Sequence, residues 1–304
     1  MTGFTRRDFL KISSRLAVLL GLGSTAVADL AQGLESLVAG QIPVAWIQAQ
    51  SCSGCSVSFL NSTNPGPVDL LTRYISLVFH NTLSTATGDM FMNVVEKNIH
   101  TDNFLLVVEG SIPSLMPKAC MMGGKPVEDI ILTAARNAKA VIAIGTCASF
   151  GGIPSAENNP TGALSVSELL KRKNIDKPVI NIPGCPSHPD WIVGTLVHVL
   201  KFGMPERDSM LRPKMFFSRL NHDNCPRYSD YEREKYAEKF SDNGCLFKLG
   251  CLGVRNYSDC SMRLWNSGIN SCLRAGAPCI GCASDFFAKK KDFPFYRKNE
   301  GEPA

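Results

Sequence analysis

The stretch Ala140-Val-Ile-Ala-Ile-Gly-Thr-Cys147 decides the fold, because five apolar residues end at a glycine and a cysteine follows two positions later. Such a short, fully apolar run predicts a strand that is buried on both faces. Similar runs occur at three other places: 44–48, 104–108 and 179–182. Apolar residues at helical spacing occupy two further segments: 127–138 and 189–202. This alternation predicts an α/β fold with a doubly wound parallel sheet.

Cysteines follow three of these predicted strands. Cys52 and Cys55 come directly after the first strand, Cys147 after the third and Cys185 after the fourth. Because ligands of open α/β sheets bind beyond the carboxyl ends of the strands, we expect the four thiols to converge at one edge of the sheet. Gly54, Gly145 and Gly184 each lie within two positions of one of these cysteines, which would let the backbone approach a bound group closely.

The alternation of predicted strands and helices ends after Gly203, where prolines and small polar residues interrupt the apolar runs. One helix is predicted there, at 230–240. The region nevertheless contains most of the 12 cysteines of the chain. A segment that buries little apolar surface is only marginally stable without cross-links. We therefore expect a sheet domain at 42–203 and an irregular domain at 204–304 that is stabilised through its cysteines.

Three chemistries suit cysteines at this density, namely iron–sulfur clusters, zinc and disulfides. Cys120 has no paired cysteine nearby and is interpreted as a small buried hydrophobe. The other eleven cysteines, with His222 of His222-x-x-Cys225, make twelve ligands, which suits three sets of four. Two single cysteines accompany the Cys52-x-x-Cys55 pair, which favours clusters over a zinc ribbon. The pattern alone leaves zinc and disulfides open.

The N-terminus begins with Thr5-Arg6-Arg7-Asp8-Phe9-Leu10-Lys11, and a short apolar stretch and Ala26-Val27-Ala28 follow. Paired arginines in this order indicate a twin-arginine signal peptide at 1–28, with a linker at 29–41. Export by this route favours a cofactor that is loaded before export over disulfides that form afterwards.

The export signal predicts a periplasmic location for the mature chain. No later run approaches the ~20 apolar residues of a membrane span, so no transmembrane helix is predicted. The first 28 residues carry +3 of the net charge of +5. The remaining charge is too weak to indicate a nucleic-acid partner.

Several short motifs occur in one order along nearly the whole chain: Trp46-Ile-Gln48, Cys52-Ser-Gly-Cys55-Ser, Val108-Glu-Gly-Ser-Ile-Pro113, Gly145-Thr-Cys-Ala-Ser-Phe-Gly-Gly152, Pro183-Gly-Cys-Pro186, His222-x-x-Cys225 and Ala277-Pro-Cys-Ile-Gly-Cys282. In these residues and in its twin-arginine leader, the chain resembles the small subunit of membrane-associated or periplasmic nickel–iron hydrogenases. The resemblance is strongest to the nickel–iron–selenium branch. It implies a flavodoxin-like domain followed by an irregular, cluster-stapled C-terminal domain.

The resemblance also implies three ligand sets. The proximal cluster, nearest the active site of the large subunit, would be held by Cys52, Cys55, Cys147 and Cys185. The distal cluster, where electrons leave, would be held by His222, Cys225, Cys245 and Cys251. The medial cluster would be held by Cys260, Cys272, Cys279 and Cys282.

Three [4Fe–4S] clusters follow from these sets. Many members of the family have proline at the position of Cys272, and the medial cluster would be [3Fe–4S] if Cys272 is not a ligand. Oxygen-tolerant relatives carry extra cysteines where this chain has Gly54 and Gly152, so the resemblance implies an ordinary four-cysteine proximal cluster.

The implied activity is reversible oxidation of H2, with no catalytic residue in this chain. A partner large subunit would carry the nickel–iron site, with or without selenium, and a periplasmic cytochrome is the expected acceptor. Glu109 would either line the interface with the large subunit or be a solvated or structurally paired carboxylate. The rival hypotheses are an exported zinc- or disulfide-stapled binding protein and, as a third option, a stand-alone iron–sulfur electron carrier or a subunit of a different oxidoreductase.

Overall fold

The computed structural model describes residues 42–156 and 158–288. Five strands form the main sheet: β1 Ile42–Gln48, β2 Ile75–His80, β3 Leu105–Glu109, β4 Ala140–Ile144 and β5 Val179–Ile182. Their order is β2-β1-β3-β4-β5, and all neighbouring pairs are parallel. The predicted doubly wound sheet is therefore confirmed, in the strand order of flavodoxin-like folds. The predicted signal peptide and linker lie outside the described residues.

Helices cover both faces of the sheet: α1 Gly54–Leu60, α2 Gly88–Ile99, α3 Val127–Asn137, α4 Gly145–Phe150, α5 Val166–Arg172 and α6 Pro189–Phe202. Successive strand residues point to opposite faces. Ala45 and Ile47 of β1 thus join one core with residues of α2, α3 and α5. Val44 and Trp46 join a second core with residues of α1 and α6. Both faces are buried, which explains the uninterrupted apolar runs.

The chain beyond α6 has only short helices in its described part: α7 Lys214–Phe217, α8 Tyr228–Glu232 and α9 Cys260–Arg263. Phe216, Phe217 and Ala283 enter the second core of the sheet. The indole Nε1 of Trp191 in α6 donates a 2.7 Å hydrogen bond to Asp259. These contacts hold the irregular region against the sheet, and Cys282 accepts a hydrogen bond from Thr146, which directly follows β4 and Gly145.

The structure departs from the predicted elements in two ways. First, strand β2 and the helices α1, α2, α4, α5, α7 and α9 were not predicted from the sequence. Second, the predicted helix at 230–240 is wrong beyond its first turn, because α8 ends at Glu232. Glu234 adopts a φ of 55°, and the backbone then exchanges hydrogen bonds with Cys245, whose N–H lies 2.8 Å from the oxygen of Lys235. Pairing with a cysteine-bearing segment therefore overrides local helix propensity.

Candidate metal centres

The four cysteines at the strand ends come together. Cys52 and Cys55 follow β1, Cys147 lies in α4 directly after β4, and Cys185 follows β5. The thiol of Cys55 interacts electrostatically with those of Cys147 and Cys185, and Cys52 interacts with the same two. We call these four residues the N-terminal set.

Two glycines with positive φ make room for the sulfurs of this set. A Cβ on Gly145, whose φ is 82°, would lie 2.6 Å from the sulfur of Cys55. A Cβ on Gly152, whose φ is 57°, would lie 2.7 Å from the sulfur of Cys147. Only glycine fits at both positions, because any side chain would occupy the space of a thiol and strain the backbone as well.

Glu109, the last residue of β3, is a buried and fully paired carboxylate. It is 2% exposed and accepts hydrogen bonds from the side chains of Trp46 and Ser51 at 3.2 and 2.9 Å. The backbone N–H groups of Cys55 and Ser56 donate to it at 3.1 and 3.3 Å. Of the two interpretations left open for Glu109, the structure shows the paired carboxylate, which caps the first turn of α1 and orients Cys55.

His80 was not predicted from the sequence, because the strand that carries it, β2, was not recognised. Its Nε2 lies 3.1 Å from the hydroxyl of Ser56, which donates in turn to Glu109. Burial lowers the pKa of His80 to about 4, against a smaller opposing effect of the Glu109 charge. The imidazole is therefore neutral at pH 7.

Cys260, Cys279 and Cys282 form a second group, which we call the central set together with Cys272. Cys260 interacts electrostatically with Cys272 and Cys282, and Cys279 interacts with Cys260 and Cys282. Burial raises the pKa of both Cys260 and Cys282 to about 12. Cys272 is the exposed member, and its thiol also interacts with Cys251 of the next group.

Cys225, Cys245 and Cys251 interact with one another, and we call them, with His222, the outer set. Burial raises the pKa of Cys225 to about 11. The backbone N–H of His222 donates a 3.1 Å hydrogen bond to Gly253, and a Cβ on that glycine would lie 3.5 Å from the sulfur of Cys251.

The ring of His222 packs against two tyrosines. Its centroid lies 5.0 Å from that of Tyr228 and 4.4 Å from that of Tyr231. Burial lowers the pKa of His222, which favours the neutral imidazole that a metal centre requires.

Backbone N–H groups donate to several of the sulfurs. The N–H of Ser187 lies 3.5 Å from the sulfur of Cys55, and that of Arg227 lies 3.4 Å from the sulfur of Cys225. The N–H of Cys279 lies 3.3 Å from the sulfur of Cys251. Such bonds stabilise the thiolate over the thiol, so they suit sulfurs that bind metal.

Two family models match successive parts of the chain. Residues 52–199 match the family described as NADH ubiquinone oxidoreductase, 20 Kd subunit, and residues 217–296 match the C-terminal family of the NiFe/NiFeSe hydrogenase small subunit. The periplasmic [NiFeSe] hydrogenase small subunit of Desulfomicrobium baculatum is 38% identical over 96% of this chain and 98% of its own length. The chain belongs to the hydrogenase small-subunit family. The hydrogenase-2 small chain of Escherichia coli K12 is 39% identical to this small subunit, over 92% of this chain and 76% of its own length.

Solved structures agree with this assignment. The D. baculatum [NiFeSe] hydrogenase superimposes on this small subunit with a TM-score of 0.81 at 40% identity, over 86% of this chain and 100% of that one. The [NiFeSe] hydrogenase of Desulfovibrio vulgaris Hildenborough gives a TM-score of 0.81 at 40% identity, over 86% and 99% of the two chains.

The thiols of this small subunit suit iron–sulfur clusters. All 12 cysteines are free. Among residues 42–156 and 158–288, no three His, Cys, Asp or Glu side chains are arranged to hold a single metal ion. Cluster binding would deprotonate the buried thiols and release their protons. The space beside Gly145 and Gly152 and the N–H donors to sulfur fit a cluster that Cys52, Cys55, Cys147 and Cys185 hold.

Cys120 lies apart from the three sets. It is half-buried and packs against the core that α2, α3 and α5 form on one face of the sheet. Burial raises the pKa of its thiol.

No helix in the described part of this small subunit is long and apolar enough to cross a membrane.

Proposed function

We propose that this chain relays electrons between a nickel–iron site in a partner large subunit and an external acceptor, through three iron–sulfur clusters, during reversible oxidation of H2. The observation that carries the proposal is the succession of the three sets. Cys185 of the N-terminal set interacts with Cys282 of the central set, and Cys279 of the central set donates to Cys251 of the outer set. The N-terminal set therefore adjoins the central set, and the central set adjoins the outer set, which supports a relay through three sites.

The proposed ligands follow the three sets. The proximal cluster is assigned to the N-terminal set, the medial cluster to the central set and the distal cluster to the outer set with His222. The proposed domains are 42–203, which holds the proximal site, and 204–304, which holds the other two. Each cluster, when bound, accepts and releases one electron at a time. The protein residues set the spacing, the burial and the hydrogen bonds of each site.

The large subunit is proposed to dock where the N-terminal set reaches the surface. Cys52 is exposed, and Val57 and Leu60 on α1 are 57% and 41% exposed. A cavity of about 670 Å³ opens beside Val57, with Pro186 and Trp265 among its other lining residues. Exposed apolar groups around a groove are typical of protein interfaces. The small-subunit relatives in D. baculatum and E. coli support a partner of this kind.

The acceptor is proposed to bind at the outer set. Tyr228, which packs on the ring of His222, is 41% exposed. A periplasmic cytochrome is the proposed acceptor, and the twin-arginine leader is the proposed route of export. The D. baculatum relative is named as periplasmic, which supports this location.

The test is purification of the complex through a tag on this chain, followed by metal analysis. We expect a brown complex with about twelve irons and a nickel-bearing partner, whose visible absorbance bleaches under H2. Cys147→Ser should lose the irons of the proximal cluster, whereas the control Cys120→Ser should keep the full iron content. A colourless protein that contains zinc would reject the proposal.

A further inference from the structure

Thr146 joins three segments that carry cysteines. It lies between Gly145 and Cys147 in α4 and is 1% exposed. Its hydroxyl donates a hydrogen bond to the backbone oxygen of Cys282. The same hydroxyl accepts a 2.8 Å bond from the N–H of Gly184, and the N–H of Thr146 donates a 2.9 Å bond to the oxygen of Gly184. One buried side chain therefore links the first turn of α4 with the segments at 184–185 and 282.

The segments at 184–185 and 282 meet at the sulfur atom of Cys282. Burial raises the pKa of Cys282 to about 12, and a hydrogen bond from the backbone N–H of Cys185 to this thiol opposes the shift. Cys185 belongs to the N-terminal set and Cys282 to the central set. An N–H group of one site thus donates directly to a sulfur of the next.

The junction between the central and outer sets has the same construction. The N–H of Cys279 donates to the sulfur of Cys251 at 3.3 Å. The N–H of Leu252 donates a 2.7 Å hydrogen bond to the oxygen of Cys279 and holds the two segments together. Both junctions therefore combine an N–H···S contact with a second hydrogen bond that fixes its geometry. At the first junction, the hydroxyl of Thr146 makes that second bond.

We infer that Thr146 is a positioning residue for electron transfer, which holds Cys282 against Cys185 at the junction between the N-terminal and central sets. The inference rests on the proposed function. One electron crosses the junction at a time, so that the donor site is oxidised by one electron and the acceptor site is reduced by one. No bond breaks and no proton moves. Without the hydroxyl, the Cys282 carbonyl loses its donor and the Gly184 N–H loses its acceptor, so the two loops can separate.

The experiment uses the anaerobically purified complex with Thr146→Val, which keeps the shape of the side chain and removes the hydroxyl. Thr146→Ser keeps the hydroxyl. Thr195→Val is the matched control, because Thr195 is 0% exposed in α6 and its hydroxyl has no hydrogen-bond partner among residues 42–156 and 158–288. Iron content is measured together with the magnetic interaction between the proximal and medial clusters by EPR. Rapid freezing after mixing with H2 gives the rate at which the medial cluster is reduced.

We expect Thr146→Val to keep its iron, to weaken the magnetic interaction and to slow reduction of the medial cluster several-fold. Thr146→Ser and Thr195→Val should behave as the wild type. An unchanged EPR interaction and an unchanged rate in Thr146→Val would overturn the inference.

If Thr146→Val loses iron, Thr146→Ala is measured in the same way. Loss of iron from both variants, with Thr146→Ser intact, also overturns the inference. Thr146 would then be needed for cluster binding rather than for positioning Cys282 against Cys185. A wild-type complex without iron rejects the proposed function instead, so the two failures are distinguishable.

Discussion

Replacing Gly145 with alanine places a methyl group in space that the sulfur of Cys55 occupies. The new Cβ would lie 2.6 Å from that sulfur, whereas non-bonded carbon contacts are comfortable at about 3.5–4.0 Å. The sulfur would have to move by about 1 Å. Because Glu109 holds the backbone of Cys55 by a 3.1 Å hydrogen bond, the side chain cannot move away together with the first turn of α1.

Backbone strain adds to this overlap and needs its own control. Gly145 has a φ of 82°, and an alanine there costs about 1–2 kcal/mol. Gly124 has a φ of 79°, but a Cβ there would meet nothing within 4 Å. Gly124→Ala therefore carries the strain without the overlap, and the difference between the two variants isolates the contact with the sulfur.

The assay is iron content per complex, with EPR to identify the cluster that is lost. We expect Gly145→Ala to lose about four of about twelve irons, all from the proximal cluster, because one of its four ligands is displaced. Gly124→Ala should keep its iron and show only a small decrease in thermal stability. Equal iron content and equal stability in the two variants would refute the reasoning.

Three further predictions address the other sites and the buried carboxylate. Cys272→Pro should convert the medial cluster to a three-iron form with a new EPR signal in the oxidised protein, and an unchanged iron count would show that Cys272 is not a ligand. His222→Cys should keep a distal cluster but slow electron delivery to the acceptor, because a thiolate adds negative charge at the exit; normal acceptor-linked turnover would contradict this role. Glu109→Gln leaves three donors to its Oε2 atom without their acceptor and should cost about 2–4 kcal/mol of stability in thermal unfolding. The control Glu206→Gln, which removes only a solvent-exposed ion pair, should cost less than about 1 kcal/mol, and equal losses would contradict the burial argument.

The pH dependence of stability gives a final prediction, in which His80 is the group that titrates. Its pKa is about 4 in the folded chain and about 6.5 when unfolded, so the unfolded state binds more protons between these values. The free energy of unfolding should therefore fall by about 3 kcal/mol at most as the pH drops from 6.5 to 4. His80→Asn should flatten this part of the profile, and an equally steep profile would contradict the assignment.

The sequence was informative where the physical signal is local. Apolar runs such as 140–144 must be strands, because a parallel sheet that is covered on both faces requires side chains without charge on either side. The placement of Cys147 and Cys185 directly after such runs then brings both thiols to one edge of the sheet. The grouping of these cysteines could be inferred without coordinates, because parallel strands align their carboxyl ends.

The sequence was least informative where partners are distant along the chain. The helix predicted at 230–240 ends at Glu232, because pairing with Cys245 determines the backbone after it. The paired environment of Glu109 depends on donors more than 50 positions away, such as Trp46, so no local pattern could reveal it.

The sequence by itself determined the parallel sheet, the strand-end cysteines and the family, since these depend on periodicity and on motifs in a fixed order. Only the tertiary structure decided how the sets meet. The contacts of Cys185 with Cys282 and of Cys279 with Cys251 join loops that are far apart in sequence. A hydrogen bond such as that from Thr146 to Cys282 spans 136 positions. Its geometry exists only after the irregular region has packed on the sheet, because packing alone brings those two loops within bonding distance.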